Sequence, residues 1–151
     1  LTGHRLTALQ PGGASSGFLS PAHLDVPMDF SSMAHTGTRL GTGTMLAIDD
    51  QVCPVALIRN LEHFFAQESC GWCTPCREGL PFVEKILAAI ENGDGRADDL
   101  ERLDYYTRFL GPGNTFCAHA PGAMEPLQTG LKIFADVFER HISEGRCSWR
   151  H

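Results

Sequence analysis

Three cysteines recur at every third position in one short stretch, and this spacing constrains the fold more than any other feature of the chain. Residues 68–79 read ESCGWCTPCREG, which places two residues between Cys70 and Cys73 and again between Cys73 and Cys76. On a regular helix, steps of about 300° would fan these side chains over roughly 120° of the surface, too widely for one small ion. The intervening glycine and proline also disfavour a helix. We therefore predict an irregular loop wrapped around a metal centre.

A site of this kind usually takes four donors, so the three thiols require one more ligand. The candidates are Cys53, Cys117, Cys147 and the histidines. Cys117 is favoured because it lies in GPGNTFCAHAPG, residues 111–122, a non-helical loop between two helical patterns. Cys53 and Cys147 are interpreted as incidental, since neither has a second metal-binding residue beside it. Among the histidines, only His119 is close enough to the expected ligand to tune the centre.

The spacing leaves two kinds of metal centre open. The two-residue spacers resemble those of [4Fe–4S] ferredoxin sites, although the fourth ligand here is remote. Four thiolates also hold zinc in structural sites, but zinc ligands usually come as two pairs. The pattern of three plus one therefore favours a cluster over zinc. Trp72, Phe116 and the phenylalanines of the first predicted helix, Phe64 and Phe65, are candidates for the apolar wall around it. Arg77 is a candidate for offsetting its charge.

The composition argues against several functional classes. Acidic residues outnumber basic ones by 18 to 12 and the net charge is −6, so a nucleic-acid partner is disfavoured. The apolar runs are far shorter than the roughly 20 residues of a membrane span, and no secretory pattern opens the chain. We expect a soluble, intracellular chain without membrane insertion, whose cysteines serve a metal rather than disulfides. Its start at Leu1 suggests a fragment of a longer protein.

Two regions of different character follow from the pattern of apolar residues. Residues 1–50 are rich in Gly, Pro, Ser and Thr, and predict strands at 6–10 and 44–49 with a short helical turn near 30–34. A two-stranded sheet is too small to form a hydrophobic core by itself, so this region must pack against other parts of the protein. From Pro54 onward, apolar positions at helical spacing predict four helices joined by short loops, which indicates a bundle. The apolar residues that mark these helices lie at 55–65, 82–90, 100–110 and 124–142. Pro81 is expected in the first turn of the second helix, and Pro121-Gly122 precedes the fourth. Residues 144–151 are expected to be a frayed tail.

No catalytic residues emerge from the sequence. The glycine-rich stretches at residues 11–13 and 41–44 lack the strand-to-helix context of a dinucleotide site and are interpreted as tight turns. The charged residues fit solvated helix faces, and no nucleophile stands near a base. Electron transfer is therefore a better fit than bond-making chemistry.

The two cysteine-containing blocks together resemble the flavoprotein (F-type) subunit of bacterial respiratory NADH:quinone oxidoreductase, complex I. The resemblance extends through PGG at residues 11–13, AHLDVPM at 22–28 and RLGTG at 39–43, and so covers nearly the whole chain, in its gammaproteobacterial form.

The resemblance implies a mainly α fold. A four-helix bundle at 51–143 would house an iron–sulfur cluster, and residues 1–50 would be part of a ubiquitin-like, soluble-ligand-binding β-grasp domain. Cys70, Cys73, Cys76 and Cys117 would hold a [4Fe–4S] cluster that takes electrons from reduced FMN and passes them toward quinone. The neighbours would be a thioredoxin-like [2Fe–2S] subunit and the large iron–sulfur subunit, in the peripheral arm on the cytoplasmic face of the inner membrane.

The resemblance also limits what this chain can do. The NADH and FMN sites of the family lie in an N-terminal domain that nothing here matches, so we expect the 151 residues alone neither to bind nor to oxidise NADH. Diaphorase subunits of NAD-linked hydrogenases and formate dehydrogenases share the cysteine signature and stay open as alternatives. A zinc-stabilised helical interaction module is the alternative from another class.

Overall fold

The computed structural model describes residues 3–150 and is mainly helical, as the sequence predicts, with one small sheet. Within residues 3–150, no helix has the length and apolar character needed to cross a membrane. The elements, in chain order, are β1 (Leu6–Gln10), a 3-10 turn (Pro21–His23), α1 (Phe30–His35), β2 (Leu46–Asp49), α2 (Pro54–Gln67), α3 (Thr74–Asn92), α4 (Asp99–Phe109), α5 (His119–Ile133) and α6 (Ala135–Glu144).

The N-terminal part completes its core with residues from the helices. Strands β1 and β2 pair antiparallel, with Ala8 opposite Ile48. Both of these side chains are buried in the core that the helices share, and so is Phe18, whose ring stands edge-on to Phe134 at 6.0 Å between centroids. The two predicted strands and the short helix between them are confirmed, and so is the expectation that this region depends on the rest of the chain.

The glycine-rich stretches of this region are turns in which two backbone segments nearly touch. Gly41 has a φ of +50°, and a Cβ at this position would lie 2.2 Å from the carbonyl oxygen of Gly12. The N–H of Gly43 donates to the carbonyl of Leu40 at 2.8 Å and closes the turn. Glycine is therefore required by sterics, in agreement with the predicted tight turns.

Helix α2 is the centre of the helical part and packs chiefly on α3 and α5. Pro54 stands in its first turn, where a missing N–H does no harm. Val55, Ile58, Glu62 and Phe65 recur at helical spacing and form the buried face. Three of these four are apolar, as an amphipathic helix requires, whereas Glu62 is a buried carboxyl group that the pattern does not explain.

Helix α3 begins earlier than the sequence predicts. It starts at Thr74, which puts Pro75 in the first turn and Pro81 in the helix interior. The prediction that Pro81 lies in the first turn is therefore wrong. Since proline lacks an N–H, the helix loses one hydrogen bond at this point, while its apolar face stays buried on α2. The predicted stop is confirmed: Gly93 ends the helix with a left-handed φ of 88°.

The last predicted helix is two helices in the structure. Helix α5 begins at His119, and Phe134 interrupts the helix with φ −112° and ψ 26° before α6 starts. Phe134 is 5% exposed and packs against the N-terminal part through Phe18. A contact with a distant part of the chain, which helical periodicity does not reveal, thus coincides with the break.

The residues after α6 are packed, so the prediction of a frayed tail is wrong for the described part, which ends at residue 150. Cys147 is only 6% exposed. The indole N–H of Trp149 donates to the carbonyl of Asp50 at 3.0 Å. Arg150 pairs with the buried carboxylate of Glu91. Long-range contacts therefore anchor this segment despite its polar composition.

Candidate metal centre

Cys70, Cys73, Cys76 and Cys117 line one cavity of about 160 Å³. We call it the four-cysteine cavity. A volume near 10–15 Å³ suffices for one water molecule, so this space can hold a group of several atoms. The structure thus brings Cys117 to the three motif cysteines, as the sequence analysis expects. The other lining residues are Glu68, Thr115, His119 and Ala120.

The cysteines reach the cavity from loops that enter two helices. Cys70 lies in the irregular segment after α2, Cys73 is the N-cap of α3, and Cys76 is in the first turn of that helix. Cys117 comes directly before Ala118, the N-cap of α5. The predicted loop is therefore confirmed, with its last cysteine already helical. Helix N-termini carry partial positive charge and favour thiolates nearby.

Hydrogen-bond donors approach the sulfurs from the same loops. The backbone N–H of Phe116 donates to the Sγ of Cys73 at 3.4 Å. The hydroxyl of Ser69 lies 3.3 Å from the Sγ of Cys76 and accepts from the N–H of Gly71 at 3.3 Å. Donors to sulfur stabilise the thiolate form and tune the potential of an iron–sulfur centre.

Burial and the other three cysteines together raise the pKa of the Cys76 thiol. Burial raises the pKa of its thiol, and the hydroxyl of Ser69 opposes the rise. The negative charge of Cys117, Cys73 and Cys70 raises the pKa further. Four thiolates gathered at one cavity repel one another, and bound metal cations would relieve that repulsion.

The separation of the sulfurs distinguishes a cluster from a single ion. A tetrahedral zinc, with bonds of about 2.3 Å, would hold its sulfurs about 3.8 Å apart. Within residues 3–150, no three of the four cavity sulfurs lie within 4.8 Å of one another. The donor set is therefore all thiolate but too widely spaced for one ion, and it fits a polynuclear iron–sulfur group.

Two side chains hold the loops around the cavity in place. The Nε2 of His119 donates to the carbonyl oxygen of Phe65 at 2.8 Å, which ties the start of α5 to the end of α2. The guanidinium of Arg77 donates to the carbonyl of Gly71 at 2.9 Å and so braces the cysteine loop. Both residues position the ligand loops, in addition to any effect on the charge of the centre.

The aromatic residues beside the cavity are exposed, which corrects the prediction that they form an apolar wall. Trp72 is 77% exposed and Phe116 is 89% exposed. Cys70 and Cys117 are exposed as well. These side chains stand on loops, and no element of the described chain covers them. The four-cysteine cavity therefore opens at a surface with apolar rings.

A second group of side chains that could hold a metal ion lies outside the four-cysteine cavity, and the cysteine spacing does not predict it. The Sγ of Cys147 lies 3.6 Å from the Sγ of Cys53, which in turn lies 3.4 Å from the Nε2 of His141. All three residues are buried. The prediction that neither cysteine has a metal-binding partner beside it is therefore wrong. The one signal in the sequence was that two cysteines remained outside the motif, but their separation along the chain concealed the pairing.

The environment of Cys53 is dominated by burial. Burial raises the pKa of its thiol to about 11, and the neighbouring Cys147 adds to the rise. Backbone N–H groups of Ala56 and Val55, in the first turn of α2, oppose it. Without a bound cation, Cys53 is therefore a neutral thiol at neutral pH.

Comparisons with known proteins agree with this site. The model of the NADH-ubiquinone oxidoreductase-F iron-sulfur binding region matches residues 56–141. The F-type subunit of NADH-quinone oxidoreductase in Escherichia coli (strain K12) is 56% identical over 94% of this chain and 32% of its own length. The corresponding F 2 subunit in Rhizobium meliloti (strain 1021) is 44% identical over 97% of this chain and 35% of its own length. The chain thus spans about a third of these relatives.

A solved structure has the same fold. The crystal structure of NAD+-reducing [NiFe]-hydrogenase in the H2-reduced state superposes with a TM-score of 0.81 and 29% identity, over 92% of this chain and 24% of that one. The family model covers more than half of the chain and includes all four cysteines of the cavity. This chain therefore belongs to the family of the NADH-ubiquinone oxidoreductase-F iron-sulfur binding region.

Proposed function

We propose that this chain is the electron-transfer portion of the F-type subunit of an NADH:quinone oxidoreductase, in which Cys70, Cys73, Cys76 and Cys117 bind a [4Fe–4S] cluster. The observation that carries the proposal is the meeting of these four cysteines at one cavity, in a chain of an iron–sulfur binding family. When bound, such a cluster takes up and releases single electrons. The protein supplies the thiolates, positions them and sets their electrostatic surroundings.

The residues around the four-cysteine cavity have separate roles in this proposal. The N-termini of α3 and α5 and the Phe116 N–H stabilise negative charge on sulfur. His119 ties the start of α5 to the end of α2, and Arg77 braces the cysteine loop. The exposed face with Trp72 is where an electron donor or acceptor would approach, because an opening there shortens the distance to a redox partner.

The remainder of a full-length subunit would supply the electrons. Because the chain spans about a third of its relatives, we place the FMN and NADH sites outside it. Electrons would arrive from reduced FMN and leave toward quinone through a thioredoxin-like [2Fe–2S] subunit or the large iron–sulfur subunit. The parent assembly would be an oxidoreductase in the peripheral arm, on the cytoplasmic face of the bacterial inner membrane.

The same proposal divides the chain into regions. Residues 1–50 are part of a soluble-ligand-binding β-grasp domain, and residues 51–143 are a four-helix cluster-binding domain whose last helix is interrupted at Phe134. Residues 144–151 follow as a C-terminal segment, whose residues up to Arg150 pack against the rest of the chain. The two-stranded sheet and the dense contacts of α2 with α3 and α5 support this division.

An equivalent role in the diaphorase subunit of a hydrogenase is the second candidate. The likeness to an NAD+-reducing [NiFe]-hydrogenase favours it, whereas the higher identity to the F-type subunits of NADH-quinone oxidoreductases favours the first. A zinc-stabilised interaction module is disfavoured for the four-cysteine cavity because its sulfurs are too widely spaced for one ion.

Iron and acid-labile sulfide analysis of the anaerobically reconstituted chain tests the proposal. We expect about four irons and four sulfides per chain, and an EPR signal after dithionite reduction. A reconstituted chain with neither iron nor sulfide would contradict the proposal. Sulfide is the decisive quantity, because zinc alone never brings sulfide with it.

A further inference from the structure

We propose that Cys53, His141 and Cys147 form a second metal site, distinct from the four-cysteine cavity, that binds one zinc ion. Two thiolates and one imidazole are ligands that zinc prefers. The three ligand atoms all lie within 4.8 Å of one another. Within residues 3–150, no other group of at least three His, Cys, Asp or Glu side chains meets this condition.

The distances match a tetrahedral zinc centre. Zinc bonds of about 2.3 Å to sulfur and about 2.0 Å to nitrogen separate two sulfurs by about 3.8 Å, and a sulfur and a nitrogen by about 3.5 Å. The observed separations are 3.6 Å between Cys53 and Cys147 and 3.4 Å between Cys53 and His141. An ion could therefore enter between these atoms with small side-chain adjustments.

The histidine is held in the tautomer that zinc requires. Its Nδ1 donates to the carbonyl oxygen of Val137 at 2.8 Å, one turn earlier in α6. The proton is therefore on Nδ1, and Nε2 presents its lone pair to the Sγ of Cys53. A backbone carbonyl that fixes the second nitrogen of a ligand histidine is a recurrent feature of zinc sites.

The site is closed on one side and reachable on another. The indole of Trp149 stacks on the His141 ring, with 6.0 Å between centroids and 14° between planes. Cys147 also lines a surface cavity of about 410 Å³, through which an ion and its fourth ligand, a water molecule, can enter. Three protein ligands plus one water complete the coordination number of four.

A disulfide between the two cysteines is the competing chemistry. A disulfide requires a sulfur–sulfur distance of about 2.05 Å. The observed distance is 3.6 Å, and both thiols are free. The position of the His141 Nε2 beside the sulfurs has no role in a disulfide but completes a zinc site, which is why we favour the metal.

Zinc at this site would join three elements that are far apart in sequence. Cys53 caps the start of α2, His141 belongs to α6, and Cys147 lies in the segment after α6. Because an unfolded chain holds no preformed site, zinc binding would stabilise the folded state and anchor the C-terminal segment.

Metal analysis of the cluster-loaded chain and of three variants tests the proposal. After incubation with zinc and removal of loosely bound metal, we expect one zinc per chain in the unmodified protein. Cys53→Ser and Cys147→Ser should lose the zinc and keep their iron, whereas Cys117→Ser should lose iron and keep the zinc. This reversal separates the new site from the four-cysteine cavity, so either proposal can fail without the other.

Three outcomes would overturn the proposal. The first is an unmodified chain without stoichiometric zinc, and the second is as much zinc in Cys53→Ser and Cys147→Ser as in the unmodified chain. The third is a mass of the unmodified chain that is lower by two hydrogens, which identifies a disulfide. His63→Gln, at an exposed histidine of α2, is the matched control and should keep the zinc.

A spectroscopic measurement covers the case in which the serine variants fail to fold. Cobalt added to a variant in which Cys70, Cys73, Cys76 and Cys117 are all serine, so that Cys53 and Cys147 are its only cysteines, should give thiolate-to-cobalt charge transfer and the strong visible bands of tetrahedral cobalt, and zinc should abolish both. Octahedral cobalt without charge transfer would contradict the site.

Discussion

The backbone N–H of Phe116 donates a hydrogen bond to the Sγ of Cys73 at 3.4 Å, although 43 residues separate them along the chain. This contact joins the loop that carries Cys117 to the loop that carries the motif cysteines. It also directs the positive end of the Phe116 N–H dipole at the sulfur of Cys73, one of the proposed ligands. The bond therefore links assembly of the four-cysteine cavity to its redox properties.

Removing this hydrogen bond should lower the reduction potential of the cluster. Phe116→Pro eliminates the N–H, and a sulfur without its donor stabilises the electron-rich reduced state less well. We expect a more negative midpoint in an EPR-monitored redox titration. Phe116→Ala keeps the N–H and removes only an exposed ring, so its midpoint should match that of the unmodified chain. Equal midpoints in Phe116→Pro and Phe116→Ala would contradict the role of the bond.

Cys117→Ala should reduce the cluster content, because three thiolates leave one iron without a protein ligand. Iron and sulfide analysis after anaerobic reconstitution measures the loss. Cys147→Ala is the matched control, since this cysteine lies outside the four-cysteine cavity, and it should keep about four irons per chain. Equal iron and sulfide in the two variants would remove Cys117 from the ligand set.

Glu62 should make the folded chain less stable as the pH rises. Its carboxyl group is completely buried, neither oxygen has a hydrogen-bond partner among the described residues, and burial raises its pKa well above the ordinary value of 4.5. Above about pH 4.5 the unfolded chain releases this proton while the folded chain keeps it. The free energy of unfolding should therefore fall with pH by up to about 1.4 kcal/mol per unit, until the folded-state pKa is passed.

Glu62→Gln should abolish this slope and raise stability at pH 7 by about 1–3 kcal/mol. Denaturant unfolding at a series of pH values measures the effect. Glu139→Gln alters an exposed carboxyl group on α6 and should leave the slope unchanged. Parallel pH profiles for the unmodified chain and Glu62→Gln would show that Glu62 ionises freely in the folded state.

Trp149→Ala should destabilise the chain by about 1–3 kcal/mol, because it removes a hydrogen bond to Asp50 and the stacking on His141. Trp72→Ala is the matched control. Trp72 is 77% exposed, so its removal should change the free energy of unfolding by about 0.5 kcal/mol or less. Thermal or denaturant unfolding compares the two variants, and similar losses would mean that the Trp149 contacts add nothing to stability.

The isolated chain should neither oxidise NADH nor bind FMN. It spans about a third of its F-type relatives, and the sequence contains no match to a nucleotide-binding glycine loop. An NADH:ferricyanide assay and an FMN titration, each beside a full-length relative as positive control, measure both properties. Tight FMN binding or NADH turnover by the 151 residues would place those sites within this chain.

Local sequence patterns predicted the elements that depend on neighbouring residues. The helical period after Pro54, the stop at Gly93 and the two strands are each confirmed. The cysteine spacing also predicted the irregular loop that carries Cys70 and Cys73. Each of these signals is contained in a short window, because hydrogen bonds within a turn and steric limits on glycine and proline act over a few residues.

Only the tertiary structure decided which distant residues meet. It broke the last predicted helix at Phe134, buried Glu62 and left Trp72 in solvent. It also brought Cys147 to Cys53. The sequence by itself determined the family, the helices and the cysteine motif. Burial and long-range pairing depend on how α2, α5 and α6 pack together, which no local window contains, so the group of Cys53, His141 and Cys147 became visible only in the folded chain.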